Sequence, residues 1–246
     1  MRFKLKAFAA LLAAITLGSI PARSYKGSSE GQLVDSGTFG IFHQGRRIGT
    51  ETFTIHQGTD VSVASAELKI EDGNDRASQS SELRVASNGE LRHYEWKESS
   101  PEKAQATVDY NDQFLVERIT PPGSKSQQRA FLLPPSTVIL DDFFTHREIL
   151  LWRYLASFCG AAIKAQGCDL QPGKFGVFIP RQQISTTVAL KYEGKDKVMF
   201  HGAERELDHF TLQSDDAVWN LWVESAYPFK LLRILVPAEN VEVVRD

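Results

Sequence analysis

Gly40-Ile41-Phe42-His43-Gln44-Gly45-Arg46-Arg47-Ile48-Gly49-Thr50-Glu51-Thr52-Phe53-Thr54-Ile55-His56 sets the character of the chain. Two runs, Thr38 to His43 and Arg47 to His56, flank a turn at Gln44-Gly45-Arg46. Thr50, Thr52, Phe53, Thr54 and Ile55 are β-branched or aromatic, side chains that suit a pleated, half-buried surface. The pattern continues outward. A turn at Gln57-Gly58-Thr59-Asp60 leads into Val61 to Ile70, where Ala64, Ala66, Leu68 and Ile70 alternate with polar neighbours. Period-two alternation predicts a sheet with one buried face and one wet face. Further strands are predicted over Gln79 to Ala86, Leu91 to Lys97, Lys103 to Tyr110, Gln113 to Ile119 and Gln127 to Leu133. The separators Asn88-Gly89 and Asn111-Asp112 are hairpin signals, because Asn, Asp and Gly tolerate positive φ.

One segment departs from this rhythm. After Pro134-Pro135, the stretch from Asp141 or Asp142 to Cys159 predicts a helix, with Gly160 just beyond. Acidic residues at its start and glycine after its end are the expected caps. Phe144, Leu151, Leu155 and Phe158 recur at helical spacing, and Phe143, Leu150 and Tyr154 widen the stripe. Arg147, Glu148 and Arg153 exclude a membrane-spanning role for it. Strands resume at about Phe175 to Ile179, Ser185 to Tyr192, Val198 to Gly202, Glu206 to Gln213, Ala217 to Glu224, Phe229 to Val236 and Val241 to Val244. The expected fold is mainly β: an antiparallel meander forming an open, unclosed barrel or strongly curved sheet, with one main α-helix on its concave side. Residues 36–246 make a single β-rich domain with the helical crossover at about 141–159; a two-lobed split near Pro134 is the alternative.

The first 24 residues bear on compartment. Arg2, Lys4 and Lys6 precede an uncharged, mostly apolar run from Ala7 to Ile20, and Ala22-Arg23-Ser24 offers small residues where a signal peptidase reads. This predicts a signal peptide over 1–24, cleavage before Tyr25 and a flexible segment over 25–35. A retained N-terminal anchor is the rival. The expected product is soluble after cleavage, and periplasmic or secreted. Removing Arg2, Lys4, Lys6 and Arg23 from 28 basic against 31 acidic residues leaves a net charge of about −7. Such a chain lacks the basic patch of a nucleic-acid binder. Cys159 and Cys168 are its only cysteines. In an oxidising compartment they suggest a disulfide, with a buried Cys159 and a free Cys168 as the alternative.

The order of elements resembles a loose group of exported bacterial proteins of unknown function. These share an open β-barrel with the periplasmic lipoprotein-carrier and outer-membrane lipoprotein-receptor proteins. The resemblance rests on the hairpin Gly40 to Glu51, on the helix entry Val138-Ile139-Leu140-Asp141-Asp142-Phe143-Phe144, and on the ending. There it comprises Leu221-Trp222-Val223, Leu231 to Pro237 and Val241 to Arg245. It spans most of the chain from about Gly37 onward. It implies a hydrophobic concavity but no particular ligand and no functional residue, and the absence of a lipobox cysteine departs from the anchored receptors.

Chemistry is sparsely marked. There is no Gly-x-Ser-x-Gly elbow, phosphate-cradling glycine loop or His-Glu-x-x-His helix. Ser100-Pro101-Glu102-Lys103 spells Ser-x-x-Lys but sits in a proline turn. His43 and His56 could meet across the first hairpin. Asp141-Asp142 could be paired carboxylates, although capping explains them more simply. No catalytic residue, metal or cofactor is expected. Trp219 and Trp222 should face opposite sides of a strand. Ordinary core packing would account for the tryptophans. The functional alternative places Trp152, Phe144, Leu151 and Leu155 on the helix with Tyr94 and Trp96 around an apolar cavity. Two functions follow: a non-catalytic exported protein holding a lipid or acyl chain, or a cell-envelope structural or assembly module acting through protein–protein contacts.

Overall fold

The computed structural model describes residues 31–73, 75–111, 113–159, 170–214 and 217–246. The expected leader with its cleavage point, and Cys168, lie outside these. The two halves of the chain each build a run of strands, and the runs join in the middle of one 15-stranded sheet. The first run is β1 (Gln32–His43), β2 (Arg46–Gln57), β3 (Val61–Asp72), β4 (Asp75–Ala86), β5 (Leu91–Ser100), β6 (Ala104–Asn111), β7 (Phe114–Thr120) and β8 (Gln127–Phe131). Then come β9 (Val138–Ile139) and the helix α1 (Thr145–Cys159). The second run is β10 (Gly173–Ile179), β11 (Ile184–Phe200), β12 (Ala203–Gln213), β13 (Val218–Val223), β14 (Leu231–Val236) and β15 (Val241–Arg245). β1 pairs with β15, so β8 and β9 become the two edges.

A twisted open sheet rarely exceeds about ten strands without curling, and this one curls around α1. Register shifts between β1 and β2, β4 and β5, β11 and β12, and β13 and β14 add local bends. Among the described residues the two edges do not pair with each other. Side chains close the seam instead. Phe131 of β8 packs on Phe178 of β10 with ring centroids 4.6 Å apart, and Gln183 donates to Glu117 at 2.7 Å. Arg181, in the turn after β10, lies 4.9 Å from the Trp96 ring centroid and pairs with Asp142. The result is a barrel-like sheet left open along one line.

Inside it, alternation delivers Phe39, Ile41, Phe53, Ile55, Leu190, Phe210 and Ile234 to one core with Leu150, Leu151 and Tyr154 of α1. The helix backbone comes closest to β3, where the inward residues Ala64 and Ala66 leave it room. Close approach also governs the other side. At Gly173 a Cβ would stand 2.8 Å from Phe158 and 3.0 Å from Tyr154. Trp219 and Trp222 lie on opposite faces. Trp219 joins the interior around Phe144, and Trp222 stacks on His209 outside, with centroids 5.0 Å apart.

Four expectations are corrected. Residues 32–35 of the expected flexible segment belong to β1: Gln32 and Leu33 pair with Gln57 and His56, and Asp35 is buried against Arg245. The predicted strands Ser185 to Tyr192 and Val198 to Gly202 are one 17-residue strand, because Gly194 at φ 116° makes a bulge rather than a turn. The reversal falls at His201-Gly202, with φ 49° and 77°. The meander is not wholly antiparallel, since the short β9 runs parallel to β10. Finally, His43 pairs with Arg46 and His56 with Leu33, which puts the two histidines at opposite ends of the first hairpin.

Candidate functional site

α1 begins at Thr145, three residues later than the acidic pair had suggested, and its free N–H groups are met from across the barrel. The Glu51 carboxylate on β2 accepts the Phe144 N–H at 2.6 Å and the Thr145 N–H at 2.9 Å, and the Thr145 hydroxyl also donates to it. A carboxylate there complements the positive end of the helix dipole. Asp141 is therefore not the cap. Its side chain accepts the Tyr94 hydroxyl at 2.8 Å and the Asp142 N–H at 3.0 Å. Arg147 donates to the Asp141 and Phe143 carbonyls, and its guanidinium lies 4.5 Å from the Trp219 ring centroid.

Burial sets the charges of this first turn. It raises Glu51 and Asp141 above the usual carboxylate range, against the hydrogen bonds and the Arg147 charge that stabilise their ionised forms. It pulls Arg147 down to about 10, still cationic at neutral pH. Burial and the neighbouring Arg147 pull His146 down to about 3, so its ring is neutral and its Nδ1 accepts the Asp141 N–H at 3.3 Å. Next along the helix, Glu148 approaches Asp35, Arg245 and the Leu231 N–H. Burial and its hydrogen bond to Asp35 hold Glu148 well above the usual range. Burial also pushes Asp35 up, but hydrogen bonds from Glu148 and Arg245 outweigh it and the net displacement is downward. The two carboxyl groups are thus displaced in opposite directions within one buried cluster. Arg245 at 2.6 Å and Lys230 at 3.1 Å supply positive charge to Asp35.

A different face of α1 looks onto open space. Ile149, Trp152, Arg153 and Ala156 follow at i, i+3, i+4 and i+7 and border a cavity of about 610 Å³. Opposite them, the buried Ile55, Leu83, Leu91 and Ile139 supply an apolar wall from the first half-sheet and β9. Tyr227, Pro228 and Phe229 cover one flank, and the Trp152 indole donates to the Phe229 carbonyl at 3.2 Å. The rim is polar: Ser87, Asn88 and Ser157 are exposed there.

Of the six residues expected around a cavity, Trp152 borders this one. Phe144, just before α1, and Leu151 and Leu155, on another stripe of the helix, pack into the core; Tyr94 is fully buried against Asp141, and Trp96 is buried with its indole donating to Gln79 at 3.2 Å. The physical reason is periodicity. The most apolar stripe of a helix fills the core, so an unfilled volume falls beside a stripe of mixed character. Ile149, Arg153 and Ala156, sharing a face with Trp152, were the available signal. Cys159 is buried at the end of α1 and is not a free thiol; its expected partner Cys168 lies outside the described residues.

No protein-family model and no curated protein matches this chain. Among solved structures it is similar to a beta-barrel-like protein of the domain of unknown function DUF1849 from Brucella abortus. The TM-score is 0.53 at 6% identity, covering 89% of this chain and 97% of that one. The likeness is one of fold. It sets this chain beside a barrel-like β protein over nearly its whole described length.

Proposed function

We propose that this protein is an exported, non-catalytic binder of a hydrophobic ligand, such as an acyl chain, held between α1 and the first half-sheet. The cavity beside Trp152 carries this reading. Its volume of about 610 Å³ lies within the roughly 300–1,000 Å³ typical of small-molecule sites, and its deep wall is aliphatic and aromatic. An apolar chain entering it gains about 25 cal/mol for each Å² removed from water. The signal-like start from Arg2 to Ser24 supports export.

Extraction and mass spectrometry of protein purified from an envelope fraction, followed by titration of the delipidated protein, test the reading. A copurifying single-chain lipid is expected, as is a change in tryptophan emission that Trp152→Phe removes. Each methylene is worth about 0.8 kcal/mol, so shortening the chain by two carbons should weaken binding about 15-fold. Absence of both lipid and emission change would sink the proposal.

A second reading, an envelope assembly module, draws on one observation. Among the described residues β8 is an edge strand, paired on one side only and mostly exposed, and Leu132 just beyond it is 79% exposed. An added strand from a partner protein would pair there. Crosslinking from position 128 in the native envelope separates the two, since this reading requires one dominant protein adduct.

A further inference from the structure

Among the described residues, the cavity wall carries a single charged side chain, Arg153, and no acid. The side chain is held in place. Its Nη1 donates to the Gly89 carbonyl at 3.1 Å, its aliphatic part lies over Gly89, and its guanidinium stands 6.0 Å from the Phe175 ring centroid. One bond to a carbonyl uses one of the five N–H donors a guanidinium offers. The nearby acid Glu90 acts on Arg153 only through space, and burial disfavours the charged form. The site therefore contains a half-buried, pinned cation with spare donors and no ion-pair partner among the described residues.

Its location gives it meaning. Ile149 and Trp152 precede it on the same helix face, and the deep wall of Ile55, Leu83 and Leu91 is almost fully buried. Ser87, Asn88 and Ser157, beside it, are exposed. Arg153 stands where apolar interior meets water, the place a head group occupies when its chain is inside.

Resting on the binding function proposed above, we infer that the ligand is an anionic single-chain amphiphile whose carboxylate or phosphate oxygens are held by Arg153. A guanidinium can donate to two oxygens of either group in a two-bonded fork. A neutral amphiphile would leave the cation unpaired, and a cationic one would be repelled.

The test is calorimetric titration of the delipidated full-length processed protein with four twelve-carbon ligands, each below its micelle or solubility limit. These are dodecanoate, dodecyl phosphate, dodecanol and dodecyltrimethylammonium. At least one anion should bind about ten- to a hundred-fold more tightly than dodecanol, the range of a hydrogen bond to a charged group, with the cation weakest. The stronger anion identifies the head group. Arg153→Gln should close the gap between that anion and dodecanol. If the variant does not fold, the head-group series on the unaltered protein decides by itself. Equal binding of dodecanol and both anions overturns the head-group assignment and leaves the cavity reading standing. No binding by any of the four overturns both.

Discussion

The two ends of α1 are held by opposite means. At the first turn, Thr145, His146, Arg147 and Glu148 are all buried polar residues, held by Glu51, Asp141, Tyr94, Asp35 and Arg245. Along the last turns, Trp152, Arg153 and Ala156 border a cavity, and single bonds from Trp152 and Arg153 to the Phe229 and Gly89 carbonyls tie that face to its surroundings. The contrast teaches a division of labour within one helix. Directional bonds fix where the helix enters and how it is rotated. Non-directional packing is left incomplete at the other end, where a guest can substitute for missing side chains.

The sharpest way to break this contrast is at Glu51. Glu51→Ala removes the acceptor of two helix N–H groups and the Thr145 hydroxyl, and deprives Arg147 of a neighbouring negative charge. A loss of about 3–5 kcal/mol in urea unfolding is expected, as when one partner of a buried charged cluster is deleted. A cost under about 1 kcal/mol would remove Glu51 as the anchor.

The next effect is one of pH. His146 is held below its ordinary 6.5, at about 3, so the unfolded chain takes up a proton that the folded chain refuses. Its contribution is intact above about pH 6.5 and is lost as pH falls toward 3, at up to about 1.4 kcal/mol per pH unit. His146→Gln should remove that part of the acid slope in denaturant midpoints measured from pH 7 to 4. An identical slope in the variant would contradict the assignment.

Tyr94→Phe deletes one buried hydroxyl bond to a carboxylate and should cost about 1.5–3 kcal/mol by thermal or urea unfolding, with ligand affinity little changed. At the other end the pattern should invert. Ala156→Phe projects bulk from the exposed rim into the cavity and should move stability by less than about 1 kcal/mol. The same substitution should weaken dodecanoate binding at least about tenfold by calorimetry. A large stability loss with unchanged binding would erase the distinction between the two ends.

Much of the sheet was legible because its signals are local. Gln44-Gly45 and Asn88-Gly89 announce reversals through residues that accept positive φ, and alternation in Val61 to Ile70 announces a buried face. The break expected between Tyr192 and Val198 is a bulge at Gly194, because a glycine between two strand-like runs is compatible with a turn or a bulge and only the partner strand decides between them. Two-residue β9 carries too little pattern to be seen and exists because β10 lies beside it. Capping by Glu51 was hidden for the same reason, since 93 residues separate it from Phe144. At the cavity, Trp152 was recognisable as a large apolar residue on a helix. Arg153 stood out only as an obstacle to membrane insertion, Phe229 only as the start of a strand, and Tyr227-Pro228 carried no signal.

By itself the sequence determined a strand-rich chain with one helix, the places of most reversals, and a mildly acidic charge balance, because propensity, period and composition do not depend on how distant segments meet. Tertiary structure alone decided that the first and last strands meet in mid-sheet, that Glu51 caps α1, and that the unfilled volume lies beside Arg153 rather than along the greasiest stripe. Those outcomes depend on which surfaces remain after the core has taken the most apolar ones, and that competition involves residues from the whole chain.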